Sequence, residues 1–442
     1  MTHILNTFRP NRRGALAGLL GAGLSLQFLG SRAFAAGETD LANRRLVVII
    51  CRGGMDGLSV APPVGDANYS RLRGSIAIVA PGQADGALPL DETFGLHPAL
   101  SAVHALALKG QARIAPAIAT PDRERSHFEA QDVLEGGTTV AYGTSSGWLN
   151  RALEAMGPPG RVKALSLGPT APLLLRGRIE AASWSPGGLQ GHDARLVGIL
   201  QDLYANDPLL GPALAGGLTT QTMAKLATRE AAMEIAPPQP MAMQPVTGMQ
   251  AAPYAPHGQA VGQARQLGAT LAGFMTQPGG ASVVGLELDG FDTHAGQRGL
   301  LATRLAYLDA FIDSLQGGLS GRALPSGSAN TTRRDVWRDT VVVVATEFGR
   351  TARVNGTDGT DHGTASTALL LGGAIRAGGI IGDWPTLADN RLFENRDTAP
   401  TMDMRGLFKG VLRDHLGIER AKLDTLVFPD SAAVMATGGL VA

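Results

Sequence analysis

Residues 337–364 read WRDTVVVVATEFGRTARVNGTDGTDHGT, and the first half of that stretch decides the class of fold. Val341 to Ala345 is an unbroken apolar run rich in β-branched side chains. A strand with water on one face alternates apolar and polar residues. A run without alternation suits a strand buried on both faces of a parallel sheet. The run gives way to Thr346-Glu347-Phe348-Gly349-Arg350, then a Gly- and Asp-rich turn, then Asp361-His362-Gly363. Open α/β sheets bind ligands at the carboxyl ends of their strands. An acid, an arginine, an aspartate and a histidine therefore gather at one sheet edge, and apolar packing gives no reason for that collection.

Working outward, Leu46–Cys51 (LVVIIC) is a second run of the same kind. The loop Arg52-Gly53-Gly54-Met55-Asp56-Gly57 follows it and carries Asp56 to the edge. Further strands are expected at Ser75–Val79, Arg113–Ile118, Ala164–Gly168, Leu173–Leu175, Ser282–Leu288 and Ala368–Leu371. Helical spacing of apolar residues predicts helices over Pro98–Leu108, Glu129–Leu134, Trp148–Met156, Asp193–Tyr204, Ala260–Gln277, Leu300–Leu315 and Asp403–Leu416. The longest stripe is Leu301, Leu305, Leu308, Phe311, Ile312 and Leu315. Strands alternating with helices along the chain predict an α/β sandwich of three layers around a mostly parallel central sheet. Residues 234–259 are rich in Pro and Met and read as an insertion. Met241, Met243 and Met249 could bind soft copper, but an irregular loop with apolar anchors explains them more simply.

The first 35 residues read as an export signal outside the fold. Arg9, Arg12 and Arg13 precede a weakly apolar, Gly-broken segment, and Ala33-Phe34-Ala35 is a small-x-small cleavage site. The Arg12-Arg13 pair resembles a twin-arginine signal. A membrane anchor competes with that reading, but the apolar run is short and Gly-broken for a span. Residues 36–442 then form an exported domain, periplasmic or secreted, whose partner during export is the twin-arginine translocase. Of the 442 residues, 38 are Lys or Arg and 38 are Asp or Glu. That balance gives no electrostatic case for nucleic acid. Cys51 is the only cysteine, so no internal disulfide forms, and its place at the end of an apolar run makes it a core residue.

Four polar clusters follow four expected strands: Asp56; Arg125-Ser126-His127; Asp289, Asp292 and His294; and Glu347, Arg350, Asp361 and His362. Carboxylates with imidazoles and no thiolate set suit Zn²⁺ or Mn²⁺. Ser126 at a helix start is placed to act as a nucleophile, and Arg125 or Arg350 could hold an anion beside it. Each cluster has a plainer reading. Asp56 and Asp289 could bond their own turns, Ser126 could be only an N-cap, and Glu347 with Arg350 could be a structural ion pair. His97 and His104 suit a helix start and the core, and His192, His257 and His415 the surface.

On the residues Gly-Gly-Met-Asp56-Gly-Leu, Arg-Ser126-His-Phe, Gly-Phe-Asp292-Thr-His294, Thr-Glu347-Phe-Gly-Arg and Asp361-His362-Gly, the chain resembles the alkaline phosphatase-like metallohydrolases. More narrowly, it resembles an uncharacterised twin-arginine-exported family carrying that fold. The resemblance implies a divalent-metal site formed by Asp56, Asp292, His294, Glu347 and His362, with Ser126 attacking phosphorus or sulfur. The chain departs from the superfamily at Phe348, which stands where a His ligand is usual, and in the short spacing of Asp292 and His294. Asp361 or His127 could take the missing place, or a single metal could bind. Cys51 is followed by Arg-Gly-Gly, so formylglycine chemistry of the sulfatase kind is not supported. The expectation is an exported metal-dependent hydrolase of phosphate or sulfate esters acting on an anionic substrate. The alternative is a non-catalytic periplasmic binding or assembly protein with at most one structural metal.

Overall fold

Val341, Val342, Val343 and Val344 are each at most 1 % exposed in the computed structural model of the chain, as a strand covered on both faces requires. The structure describes residues 43–157, 163–168, 170–186, 210–234, 258–321 and 335–442, with a few single positions between 201 and 207. The expected signal at 1–35 lies outside the described residues. So do most of the helix expected at 193–204, nearly all of the insertion at 234–259, and both His192 and His257. Arg44–Ala442 form one compact unit.

Eight strands build the main sheet among the described residues. They are β1 (Arg45–Cys51), β2 (Ala112–Ala119), β3 (Ala164–Leu167), β4 (Ala181–Trp184), β5 (Val283–Leu288), β6 (Thr340–Ala345), β7 (Ser366–Leu371) and β8 (Met402–Asp403). Their spatial order is β8-β2-β7-β6-β1-β5-β3-β4. β1 runs parallel to both β5 and β6, with Leu46 opposite Val283 on one side and Val341 on the other. Only β7 is reversed, antiparallel to both β2 and β6. The start of β7 therefore lies at the same edge as the ends of β1, β5 and β6.

Helices cover both faces. Val47, Ile49 and Cys51 point to one side, where they join α1 (Ser101–Leu108), α5 (Gly258–Thr276) and α6 (Gln297–Leu319). Leu46, Val48 and Ile50 point to the other, where they join α3 (Trp148–Ala155) and α7 (Met404–Leu416). The whole apolar stripe of α6, from Leu301 to Leu315, is at most 1 % exposed. Burial of each such side chain contributes roughly 1.5–3 kcal/mol. Asp403 caps α7 by accepting from the Arg405 amide at 2.8 Å, and Gly417 at φ 67° ends it. The other helices of eight residues or more among the described residues are α2 (His127–Gly136) and α4 (Leu210–Glu234). Among the described residues no helix is long and apolar enough to cross a membrane.

Several local expectations differ from the structure. The segments expected as strands at Ser75–Val79 and Leu173–Leu175 instead hold short 3-10 turns, Gly74–Ile76 and Leu173–Leu175. Each was an apolar run too short for periodicity to separate strand from turn. His415, expected at the surface, is 1 % exposed. It tethers α7 to β1 through a hydrogen bond from Nε2 to the Arg45 carbonyl at 2.8 Å.

Candidate metal centre

Three segments reach the sheet edge. Beyond β5 the chain turns at Gly290 (φ 97°) and presents Asp292 and His294. Beyond β6, Gly349–Arg350 pairs with His362–Gly363 as a two-residue antiparallel ladder, His362 opposite Arg350. The intervening loop therefore leaves the sheet and returns to it, and His362 comes back to where β6 ended. Beyond β2, Ser126 takes the N-cap position of α2 and His127 its first turn.

The three imidazoles are each held from behind. His127 Nδ1 lies 3.0 Å from Glu347 Oε1, and His362 Nδ1 lies 2.8 Å from the Arg125 carbonyl oxygen. His294 Nδ1 lies 3.5 Å from Asp361 Oδ1. A carbonyl oxygen can only accept, so His362 carries its proton on Nδ1 and leaves a lone pair on Nε2. Glu347 assigns the same tautomer to His127, whereas His294 has a carboxylate on each side, Asp361 3.5 Å from Nδ1 and Asp292 3.0 Å from Nε2. All three Nε2 atoms then face Asp292. His294 is 3.0 Å and His362 3.3 Å from Oδ1, and His127 is 3.4 Å from Oδ2.

The two Nε2 atoms of His294 and His362 are 3.1 Å apart. His127 Nε2 is buried without a hydrogen-bond partner. Lone pairs facing lone pairs across such distances repel unless a positive centre lies between them. A proton on His294 Nε2 would ease two of the contacts and one on His127 Nε2 a third; a single cation would ease all of them together. Ligands about 2.0–2.1 Å from a tetrahedral zinc ion stand roughly 3.3 Å from one another, close to the spacings here. Ligand atoms of His127, Asp292 and His362 lie within 4.8 Å of one another. Oxygen acceptors behind metal-binding histidines are the usual supporting shell. Asp292, His362 and His127 can thus hold one divalent ion, with His294 beside Asp292 and His362. The Asp292 and His294 side chains are 43 % and 46 % exposed, so solvent and a ligand can reach the centre.

Charge around the centre is arranged by burial. Arg350 is fully buried and donates from Nη1 to Asp292 Oδ1 at 2.7 Å. Burial pushes the Asp292 carboxyl up, but Arg350, with His294 and His127, outweighs it and keeps the group below the usual carboxylate range. Glu347 is also held low: burial opposes ionisation, and the hydrogen bonds from His127, the Gly53 amide (2.7 Å) and Thr346 overcome it. The bond to Glu347 raises the pKa of His127, whereas burial lowers that of His362. Phe348 forms a wall, its ring centre 4.9 Å from that of His127 and 4.7 Å from that of His362.

A family model described as "Protein of unknown function (DUF1501)" matches residues 43–427. The chain belongs to the DUF1501 family. A comparison with the curated proteins found no match.

In this DUF1501 chain the expected ligands divide. Asp292, His294 and His362 converge. Glu347 and Asp361 stand behind histidines rather than among the converging atoms. Asp56, 1 % exposed, has its carboxylate engaged by Arg73, Ser59, Gln297 and the Leu58 amide. Buried with those partners, it does not join the cluster. Arg350, expected as an anion clamp, spends its guanidinium on Asp292, Thr360 and the Gly53 carbonyl. Arg125 pairs with Glu394 and, at 3.0 Å, with Asp397. Ser126 donates from Oγ to Glu129 rather than capping α2. His127, named only as a possible substitute, faces Asp292. Its signal was its place in the Arg-Ser-His-Phe cluster. Gln297 and Thr360 carried no signal, because neither type stands out in a polar loop.

Proposed function

We propose that this DUF1501 protein is an exported metal-dependent hydrolase of phosphate or sulfate esters, built around one divalent cation, zinc or manganese. The observation that carries the proposal is the turning of three Nε2 atoms toward Asp292, each with its Nδ1 held by an oxygen. The finer reading of the fold as alkaline phosphatase-like belongs to the same proposal. It is supported by the α/β sandwich and by residues of four motifs meeting at one edge.

A cation at the centre would polarise the ester and make its oxygens easier to displace. The chain itself supplies the rest. Ser126 is adjacent to His127 and its hydroxyl already donates to Glu129. As Oγ bonds to phosphorus or sulfur, Glu129 can take the hydroxyl proton and return it to the departing ester oxygen; water then attacks the serine ester, gives a proton by the same route to Ser126 Oγ, and releases phosphate or sulfate. Arg125 can turn from the exposed Glu394 to the substrate's non-bridging oxygens. Export by the twin-arginine translocase is proposed on the Arg12-Arg13 segment alone.

The second reading is a non-catalytic periplasmic binding or assembly protein with at most one structural ion. It is favoured by the internal pairing of both Ser126 and Arg125. The test is to purify the chain, measure bound zinc and manganese, and screen phosphate monoesters, diesters and sulfate esters with and without EDTA. The hydrolase reading expects about one ion per chain and turnover that Ser126→Ala abolishes. Bound metal without turnover supports the second reading, and absence of metal removes the hydrolase reading and leaves the second.

A further inference from the structure

Gln297, on the first turn of α6, is 1 % exposed and uses all of its hydrogen-bonding capacity. Its Oε1 accepts from Thr293 Oγ1 at 2.9 Å and from Thr360 Oγ1 at 2.6 Å. Its Nε2 donates to the Asp56 carboxylate and to Ser59 Oγ at 3.3 Å. Asp56 is anchored in turn by Arg73, which is wholly buried. Only a primary amide can face a carboxylate with donors and two hydroxyls with an acceptor, so neither Glu nor Leu could replace it.

Both partners of the amide oxygen bear on the cluster. Thr293 lies between Asp292 and His294, and its carbonyl accepts from the Thr360 amide at 3.2 Å. Thr360 receives Arg350 twice, Nε to Oγ1 at 3.1 Å and Nη2 to the carbonyl at 2.7 Å. Arg350 then bonds Asp292 Oδ1, the oxygen nearest His294 and His362. The Asp292 side chain is 43 % exposed, and Arg350 is the buried group that holds it.

We infer that Gln297 and Thr360 are positioning residues: the buried chain Arg73–Asp56–Gln297–Thr360–Arg350 fixes Asp292 toward His294 and His362, and so sets the affinity of the centre for its cation. The inference rests on the metal reading above. It gives Asp56 a task as an anchor at the far end of that chain, in place of the ligand role its loop suggested.

The experiment titrates Zn²⁺ and Mn²⁺ into the EDTA-stripped full chain for wild type, Gln297→Met, Thr360→Val and Thr360→Ser. Removing supporting partners of a metal site typically costs about 10–100-fold in affinity. Gln297→Met and Thr360→Val should each weaken binding by about that factor, while Thr360→Ser, which keeps the hydroxyl, stays within about threefold of wild type. A purely structural role would lower the stability of the stripped protein and leave the affinity of the folded fraction unchanged. Folded Thr360→Val or Gln297→Met with wild-type affinity overturns the inference while leaving the metal reading intact. If Thr360→Val fails to fold, Thr360→Ala removes the same hydroxyl and is judged the same way. Wild type that binds neither ion overturns the metal reading, and the positioning role with it.

Discussion

Replacing Asp56 by alanine separates an anchor from a ligand. The side chain is 1 % exposed and Arg73 is fully buried. Without Asp56 the Arg73 guanidinium keeps only neutral acceptors, Ser59 Oγ at 3.0 Å and the Thr351 carbonyl at 3.1 Å. Removing one partner of a buried ion pair costs about 3–5 kcal/mol, because the other charge stays out of water without compensation. Losing the accepted bonds from Leu58, Ser59 and Gln297 adds to that cost, so the upper half of the range is expected. The double variant Asp56→Ala/Arg73→Met leaves no stranded charge and should be more stable than the two single losses added together, by about 1–3 kcal/mol. The assay is urea unfolding with EDTA present throughout, so that no cation contributes. A ligand role makes the opposite statement: the loss would be small in chelator and large only with metal added. An Asp56→Ala protein as stable as wild type in EDTA would refute the anchoring role and restore Asp56 as a candidate ligand.

Three further outcomes are expected. Phe348→Ala removes a 4 % exposed ring beneath two histidines. It should cost about 3–5 kcal/mol in unfolding free energy, and a smaller loss would mean that the wall collapses without leaving a cavity. Burial and the Glu135 charge raise the Glu287 pKa to about 7, from 4.5 for the free group. The folded state thus holds a proton that the unfolded chain releases between pH 4.5 and 7, and stability is lost as pH rises through that window. Glu287→Gln should therefore stabilise the protein, by an amount that grows from pH 5 to 7 and then levels off; a constant difference would exclude the shift. Burial lowers His97 and His415 to about 4. The unfolded chain binds those protons first, so acid between pH 6.5 and 4 should destabilise by up to about 3 kcal/mol for each. Replacing His415 by Gln should flatten part of that slope in denaturation midpoints measured across the range.

The sheet was legible because its strands carry their burial in their letters. A run such as VVVVA has one comfortable environment, and LVVIIC and SVVGLEL repeat it. The reversal of β7 was not legible, since an apolar run reads the same in either direction. Yet the reversal is what brings the start of β7, and the His362 ladder before it, to the edge where β1, β5 and β6 end. The edge strand β4 was missed for a different reason: Ala181–Trp184 is half-buried and lacks the β-branched density that marks a central strand.

At the sheet edge, sequence named residues that the structure brings together and could not assign their ranks. Glu347 and Asp292 are both acids just past the end of a strand, and nothing in their spacing says which would face the histidines. Burial separates them. The Glu347 side chain is 2 % exposed and that of Asp292 is 43 %, so the first has oxygens committed to the Gly53 amide, Thr346 and His127, and the second offers its oxygens to the open edge. The same distinction puts Arg350 inside and Arg125 nearer the surface. Phe348, which in sequence looked like a lost ligand, lies against His127, the residue whose Nε2 faces the cluster. His127 comes to the cluster from α2, some two hundred residues earlier in the chain, and the Phe348 ring packs against it. A Phe348→His substitution would therefore crowd His127 and His362 without adding to the donors already gathered there.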